Sequence, residues 1–488
     1  VTLITTWLNA KSKAKPSIAV TPYASNLSFL SIPLAERIAR ATSRLGLLIV
    51  AFHLRHRTLV CAISGRKRVA HPMNFLQITS FLIVLAGAFG ALNYLFLKLP
   101  SAIGILVVSL LASMVILGID LIAPALGIAD VVRTTVTGID FSEALLEGML
   151  GLLLFAGALH VKLSDLKEQW RLVFLMATIG VALSTAVVGF GFSWLTGMPL
   201  MIALVFGSLI SPTDPVAVLG VLREADLPKS LETKIAGESL FNDGVGYVVF
   251  LVLVGIAFPH GDDAHGSGLA DAAKLFFQEA VGGAVLGIVL GWLVFRVMRR
   301  IDDYSLEVLL TLGLAFGGYE LAVYLHFSAP IMAVCAGLLI GDIGAKEGMS
   351  AETRQYVDAF WMLIDEILNA VFFLMIGFEV FAIVFDTNYL ITGVLAIALA
   401  LLARLAAVAI PVLLLRPFRQ FSTGVIPIMT WGGLKGGISV ALALSLPEGE
   451  WKPLILTATY IVVIFSIIVQ GLSVARLANR FGRTPDLV

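Results

Sequence analysis

The chain has 488 residues, of which 59% are hydrophobic and only 14% charged, and its 33 Lys and Arg balance its 33 Asp and Glu. That composition excludes a soluble globular domain and describes an integral membrane protein. The cations sit in short clusters between apolar segments and at the amino terminus, a pattern that reports topology and argues against a nucleic-acid partner.

Residues 1–72 carry Lys11, Lys13, Lys15, Arg37, Arg40, Arg44, Arg55, Arg57, Arg66, Lys67 and Arg68 against the single acid Glu36, and contain no methionine, whereas Met73 stands just before the first apolar segment. Three readings fit this extension: an overextended reading frame whose true start is Met73, an Arg-rich presequence, and a basic arm. The expected organisation is this extension, a transmembrane domain over 73–480, and a short cytoplasmic tail over 481–488.

From Asn74 onward, thirteen segments are apolar enough to cross a bilayer as helices: 74–98, 101–125, 142–162, 172–195, 199–222, 232–258, 272–298, 304–326, 328–343, 358–385, 388–414, 423–446 and 452–475. The fold class expected is therefore an all-α polytopic membrane protein. KLSDLKEQWR from Lys162, READLPKSLETK from Arg223, RVMRRIDD from Arg296, the segment with Lys346 and Arg354, RPFR from Arg416, and Arg476, Arg480 and Arg483 all fall on one side. The positive-inside rule makes that side cytoplasmic, with the amino terminus out, the carboxyl terminus in, and a bacterial cytoplasmic membrane as the expected location. Cys61 and Cys335 lie too far apart in sequence to suggest a disulfide framework or a metal site.

The fifth segment contains LISPTDPVAVLGVL, Leu209 to Leu222, with Asp214 between Pro212 and Pro215. A charge at mid-bilayer costs about 2.5–3.5 kcal/mol on the lenient insertion scale, and each proline removes a helical hydrogen bond. Ser211 and Asp214, each preceding a proline, should leave the helix and interrupt the span near its middle. Free carbonyls and half-helix ends, with the Thr213 hydroxyl and the Asp214 carboxylate, can then bind a small cation. A simple proline kink with Asp214 turned toward a loop is the plainer alternative.

The sixth segment opens GESLFNDGVGYVVFLVLV from Gly237. Ser239 stands three residues from Asn242 and four from Asp243, so these three share a helix face, and Glu238 to Asn242 is again a step of four. Such hard oxygen ligands suit a small desolvated cation. A surface helix cap with packing glycines would explain Ser239 or Glu238 alone, but not a second buried acid in the preceding broken span. Late in the chain, Arg404 lies in ALALLARLAAVAI and Lys435 in TWGGLKGGISVALAL. Arg404 needs an acidic partner, and Glu238 is the one expected. The glycines around Lys435 suggest a second interrupted span at Trp431 to Gly437. Two breaks in separate halves of the chain point to an inverted-repeat transporter with its site near the midplane.

SPTDPVAVLG and GESLFNDGVGYVV, with Arg404 and GGLKGG, closely resemble the motifs of the monovalent cation/proton antiporters of the NhaP and mammalian sodium/proton exchanger type, over essentially Met73 to Arg480. The resemblance implies a homodimer, each subunit with a dimerisation domain and a core domain that crosses two unwound helices and moves like an elevator. It implies that Asp243 is the carboxylate shared by cation and proton, with Asn242 its non-titrating neighbour, and that Asp214, Thr213 and Ser239 complete the site. Glu238 with Arg404 would be a structural ion pair, and Lys435 the basic residue of the second crossing. Some relatives carry a ligating acid in the third span, where LLLFAGALHVKL here has Ala156 and Gly157, and Glu147 stands about two and a half turns earlier.

A carboxylate removed from water favours its proton, and a cation beside it favours the ionised form. Competition at Asp243 would couple two opposite fluxes, and one titrating group per cycle makes the exchange electroneutral. The transported partners expected are Na+ or Li+ and H+, with K+ in place of Na+ as the nearest rival, no cofactor and no enzymatic activity. A cation channel would need a repeated pore-lining motif, which does not appear, and an intramembrane aspartyl protease would need a glycine-aspartate signature that neither Asp214 nor Asp243 has.

Overall fold

The computed structural model describes residues 75–123, 149–214, 229–258, 269–383, 386–419, 421–422 and 424–481, all within the unit Arg66–Val488. The extension over 1–72, Glu147, Pro215 with the second half of the fifth segment, and the tail beyond Phe481 lie outside the described residues.

Among the described residues every regular element is helical. In chain order these are α1 (Phe75–Leu92), α2 (Ser101–Ile122), α3 (Leu150–Leu159), α4 (Leu163–Thr196), α5 (Leu200–Ile210), α6 (Lys229–Ala257), α7 (Leu269–Met298) and α8 (Tyr304–Tyr324). They continue with α9 (Ala329–Glu347), α10 (Ala351–Phe378), α11 (Thr387–Leu415), α12 (Val425–Trp431), α13 (Gly437–Leu444) and α14 (Lys452–Phe481). Among the described residues, ten helices are long and apolar enough to cross a membrane; α3 and α5 are shorter apolar helices. Each of the thirteen expected segments meets at least one of these helices.

Three of the boundaries that differ from expectation have a local reason. KLSDLKEQWR, expected as a loop before a span over 172–195, is the first turns of α4, because Leu166, Gln169, Leu172 and Val173 share a buried stripe while Lys167, Glu168 and Arg171 face outward. α10 starts seven residues before the expected 358, where the Ser350 hydroxyl accepts from the Thr353 amide at 3.3 Å and caps the helix. α14 runs six residues past 475 to Phe481, with Val474 and Ala478 buried. Other starts are capped in the same way: the Asp303 carboxylate accepts from Ser305 and Leu306, and that of Asp386 from Asn388 and Tyr389.

Lipid chains are as apolar as leucine, so helices in a membrane are held by close packing of small residues and by buried polar contacts. Ala396, Ala400, Ala403 and Ala407 form a buried stripe on α11, spaced to one face, which packs against α4 and α14. Rings of Phe192 on α4 and Phe206 on α5 meet at 4.1 Å between centroids. A second apolar cluster joins α3, α8, α9 and α10 around Phe155 and Trp361. Along α7, Phe277, Val281, Val285, Ile288 and Trp292 stay exposed, as fits a hydrocarbon surrounding.

Candidate functional site

Two helices stop in the middle of the protein. α5 ends at Ile210 and residues 211–214 are not helical; α12 ends at Trp431, and α13 begins again at Gly437. The second is the interruption expected from GGLKGG; at the first, Ser211 to Asp214 leave the helix as expected from SPTDP, and the residues after Asp214 lie outside the described ones. The breaks abut: the Asp214 amide donates to the Leu434 carbonyl at 2.8 Å. The glycines permit this approach, since a Cβ on Gly436 would overlap Asp214 and one on Gly433 would overlap the Arg404 guanidinium.

Each break frees backbone groups that water cannot reach, and side chains from other helices take them up. The Thr213 amide donates to Asn242 Oδ1 at 3.3 Å. Lys435 Nζ donates to the carbonyls of Ser211 at 3.0 Å and Pro212 at 3.3 Å, so this cation holds the end of α5. In the second break, Gln470 Nε2 donates to the Trp431 carbonyl at 3.0 Å and the Lys435 amide to Ser466 Oγ at 2.8 Å. Ser466 and Gln470 face the break from a π-helical turn of α14, Ser466–Gln470. Arg404 donates from Nε and Nη2 to the Met429 carbonyl at 3.2 and 2.9 Å.

Across from the breaks, α6 presents its polar face. Asn242 Nδ2 donates to Thr213 Oγ1 at 2.8 Å, and Thr213 Oγ1 lies 3.1 Å from Ser239 Oγ. Both nitrogens of the Arg404 fork donate to Glu238, Nη1 to Oε1 and Nη2 to Oε2, the second at 2.7 Å. Both partners are buried, which makes this a bidentate ion pair shielded from solvent. Asp243 is buried as well, and its Oδ1 has no hydrogen-bond partner among the described residues.

A cavity of about 580 Å³ ends on Asp214 and Asp243. It runs from the end of the molecule where α3 finishes and α4 and α6 begin, past His160, Asp165 and Glu232. All eight residues expected from the sequence thus lie together: Thr213, Asp214, Ser239, Asn242 and Asp243 at the crossing, Glu238 with Arg404 behind it, and Lys435 on the carbonyls of the first break. Among the cavity and crossing residues not expected from the sequence are Asp365 and Asn369 of α10, and Ser466 and Gln470 of α14. The four-residue step within each pair was visible in the sequence, inside segments otherwise taken as apolar.

This arrangement puts a buried carboxylate with an unbonded oxygen on the wall of the cavity, on the same helix as the Ser239 hydroxyl and the Asn242 amide that meet Thr213. Comparison with known proteins points the same way. The family model for the transmembrane sodium/hydrogen exchanger matches residues 80–480. The Na(+)/H(+) antiporter NhaP of Pseudomonas aeruginosa is 46% identical over 417 residues, covering 83% of this chain and 96% of that one. The Na(+)/H(+) antiporter NhaH of Halobacillus dabanensis is 35% identical over 388 residues, covering 79% of this chain and 93% of the relative. Among solved structures, the sodium proton antiporter MjNhaP1 of Methanocaldococcus jannaschii at pH 8 shares the fold with a TM-score of 0.67 at 20% identity, covering 84% of this chain and 100% of its own. The chain therefore belongs to the transmembrane sodium/hydrogen exchanger family.

Proposed function

We propose that this protein exchanges Na+ for H+ across a bacterial cytoplasmic membrane, with Asp243 as the group that carries each in turn. The observation that carries the reading is the Asp243 carboxylate, buried at the end of the cavity with one oxygen unbonded while hydroxyl, amide and carbonyl groups gather beside it. A buried carboxylate needs either a proton or a cation, and the two exclude each other. If the core reorients only with Asp243 occupied, each proton carried one way exchanges for one cation carried the other. Asn242 cannot ionise, which makes the cycle electroneutral.

In this reading Thr213, Ser239 and Asp214 complete the cation's oxygen shell, and Asn242 holds Thr213 at both its amide and its hydroxyl. Glu238 and Arg404 fix α6 to α11 and, through Met429, to the second break. Lys435 balances the carbonyl end of α5. The end at which the cavity lies carries Arg296, Arg299, Arg300, Arg354, Arg416 and Arg480, and this charge bias supports a cavity that opens to the cytoplasm, with the carboxyl terminus inside. The two breaks in separate halves of the chain fit an inverted repeat, and the exposed apolar side of α7 offers a surface for a homodimer. K+ in place of Na+ would use the same geometry. The deciding experiment is to acidify inside-out vesicles containing the full chain and add sodium, lithium or potassium: alkalinisation with sodium or lithium supports the reading, alkalinisation with potassium alone replaces Na+ by K+, and current without proton movement makes the protein a channel.

A further inference from the structure

The cavity that ends on Asp214 and Asp243 has a second polar wall that the exchange mechanism leaves unused. It is supplied by α10, a helix outside the crossing, through Asp365, Glu366 and Asn369, with Phe372 one turn deeper. Asn369 is buried, and its Nδ2 donates twice to the same residue, to the Asp365 carbonyl at 2.8 Å and to Asp365 Oδ1 at 3.0 Å. Those two bonds fix the Asp365 carboxylate against the helix and leave the Asn369 amide oxygen out of both. Glu366, the next residue, carries the same charge on the same cavity and has no such partner among the hydrogen bonds of Asn369.

The neighbouring wall makes this arrangement more pointed. α3 lines the same cavity with Leu150, Leu153, Leu154 and Gly157 and adds no carboxylate along that stretch. Independently, Asp243, whose buried Oδ1 has no hydrogen-bond partner among the described residues, lines the same cavity, so the cavity reaches a group that must take up a cation or a proton. The α10 wall and Asp243 line one and the same cavity, so a cation inside it is within reach of both. Carboxylate and amide oxygens are the ligands that replace water around a hard monovalent cation, and at a partly enclosed site their field is screened less than at an open surface.

We propose that Asp365, oriented by Asn369, is a specificity-determining residue that binds the partly dehydrated monovalent cation between the cytoplasmic mouth and Asp243. The proposal rests on the exchange reading above, and it puts a ligating acid on α10, whereas the described stretch of the third segment, Met149 to Lys162, carries none. A general negative field at the mouth would make Asp365 and Glu366 equivalent; a held site would not.

The test uses the full chain in two measurements. Equilibrium binding of radioactive sodium to the purified protein is compared in Asp243→Asn, with and without Asp365→Asn. In vesicles, apparent KM and maximal rate for Na+, Li+ and K+ are compared for the unmodified protein, Asp365→Asn, Asp365→Glu and Glu366→Gln, at low and high choline chloride. The expected result is weak sodium binding in Asp243→Asn that disappears on adding Asp365→Asn. In vesicles, Asp365→Asn should raise the KM for Na+ by about tenfold, with the maximal rate changed less than twofold and the ratio among the three cations altered. Asp365→Glu should restore part of the affinity, and choline chloride should not abolish the difference. Equal effects of Asp365→Asn and Glu366→Gln, or sodium binding unchanged by Asp365→Asn, would overturn the proposal while leaving exchange through Asp243 intact. Absence of cation-driven proton movement in the unmodified protein would instead defeat the exchange reading, and the binding comparison would still decide whether Asp365 holds a cation.

Discussion

Arg404 and Glu238, 166 positions apart in sequence, form a buried bidentate ion pair that ties α11 to α6 behind the crossing. Arg404 also donates to the Met429 carbonyl, so one side chain joins the helix that bears Asp243 to the helix that ends at the second break. Removing either partner leaves an uncompensated buried charge, which costs about 3–5 kcal/mol. Glu238→Ala and Arg404→Ala should each lower the unfolding temperature of the purified protein sharply, Arg404→Ala more, because it also frees the Met429 carbonyl. The double variant should lose less than the sum of the two. Additive losses in thermal unfolding would mean the pair contributes no coupling.

Gly436 allows the second break to sit against Asp214, because any Cβ there would overlap that side chain. Gly436→Ala should therefore reduce the exchange rate by about tenfold or more through misplacement of Asp214. Gly449, where a Cβ would meet nothing within 4 Å, provides the control. Vesicle assays at matched protein levels should show Gly449→Ala active and Gly436→Ala impaired; equal activity would mean the close approach is not needed for exchange.

Asn242 holds Thr213 with two hydrogen bonds, one to its hydroxyl and one from its amide. Asn242→Ala removes both and should raise the apparent KM for Na+ by about tenfold, the effect of losing one to two neutral bonds at a buried site. The dependence of vesicle alkalinisation on sodium concentration reads this directly, and an unchanged KM would take Asn242 out of the site.

The pH dependence follows from competition. Lowering pH protonates Asp243, a protonated carboxyl does not hold a cation, and the apparent KM for Na+ must rise as pH falls, by up to about tenfold per unit. Raising pH removes the competitor, so KM reaches a floor on the alkaline side. Saturating Na+ should give the same maximal rate at the pH values where the KM differs. A maximal rate that falls with pH at saturating Na+, with KM constant, would contradict a shared site.

The sequence made the helices and the crossing legible for a simple reason: prolines, glycines and charges are rare in apolar segments, so SPTDP, GESLFND and GGLKGG stood out, and Arg404 had a single suitable partner in Glu238. The start of α4 was less legible, because Lys167, Glu168 and Arg171 read as a loop until the buried stripe of Leu166, Gln169 and Leu172 shows them to be the outer face of a helix. Ser466 and Gln470 were hidden for a different reason. Small polar residues in a hydrophobic helix carry no charge signal, and only the π-helical turn aims both at the second break. Asp365 was passed over since its segment had enough apolar residues to span the bilayer, and cavity walls are a tertiary property that no local period reveals.

Exchange through Asp243 is tested most directly by proton movement in acidified inside-out vesicles on addition of sodium, for the unmodified protein and for Asp243→Asn. Sodium-triggered alkalinisation that vanishes in Asp243→Asn, in protein that still inserts and keeps its unfolding temperature, is the predicted result. Equal alkalinisation in both would contradict the central claim, because exchange would then proceed without the carboxylate that the crossing encloses.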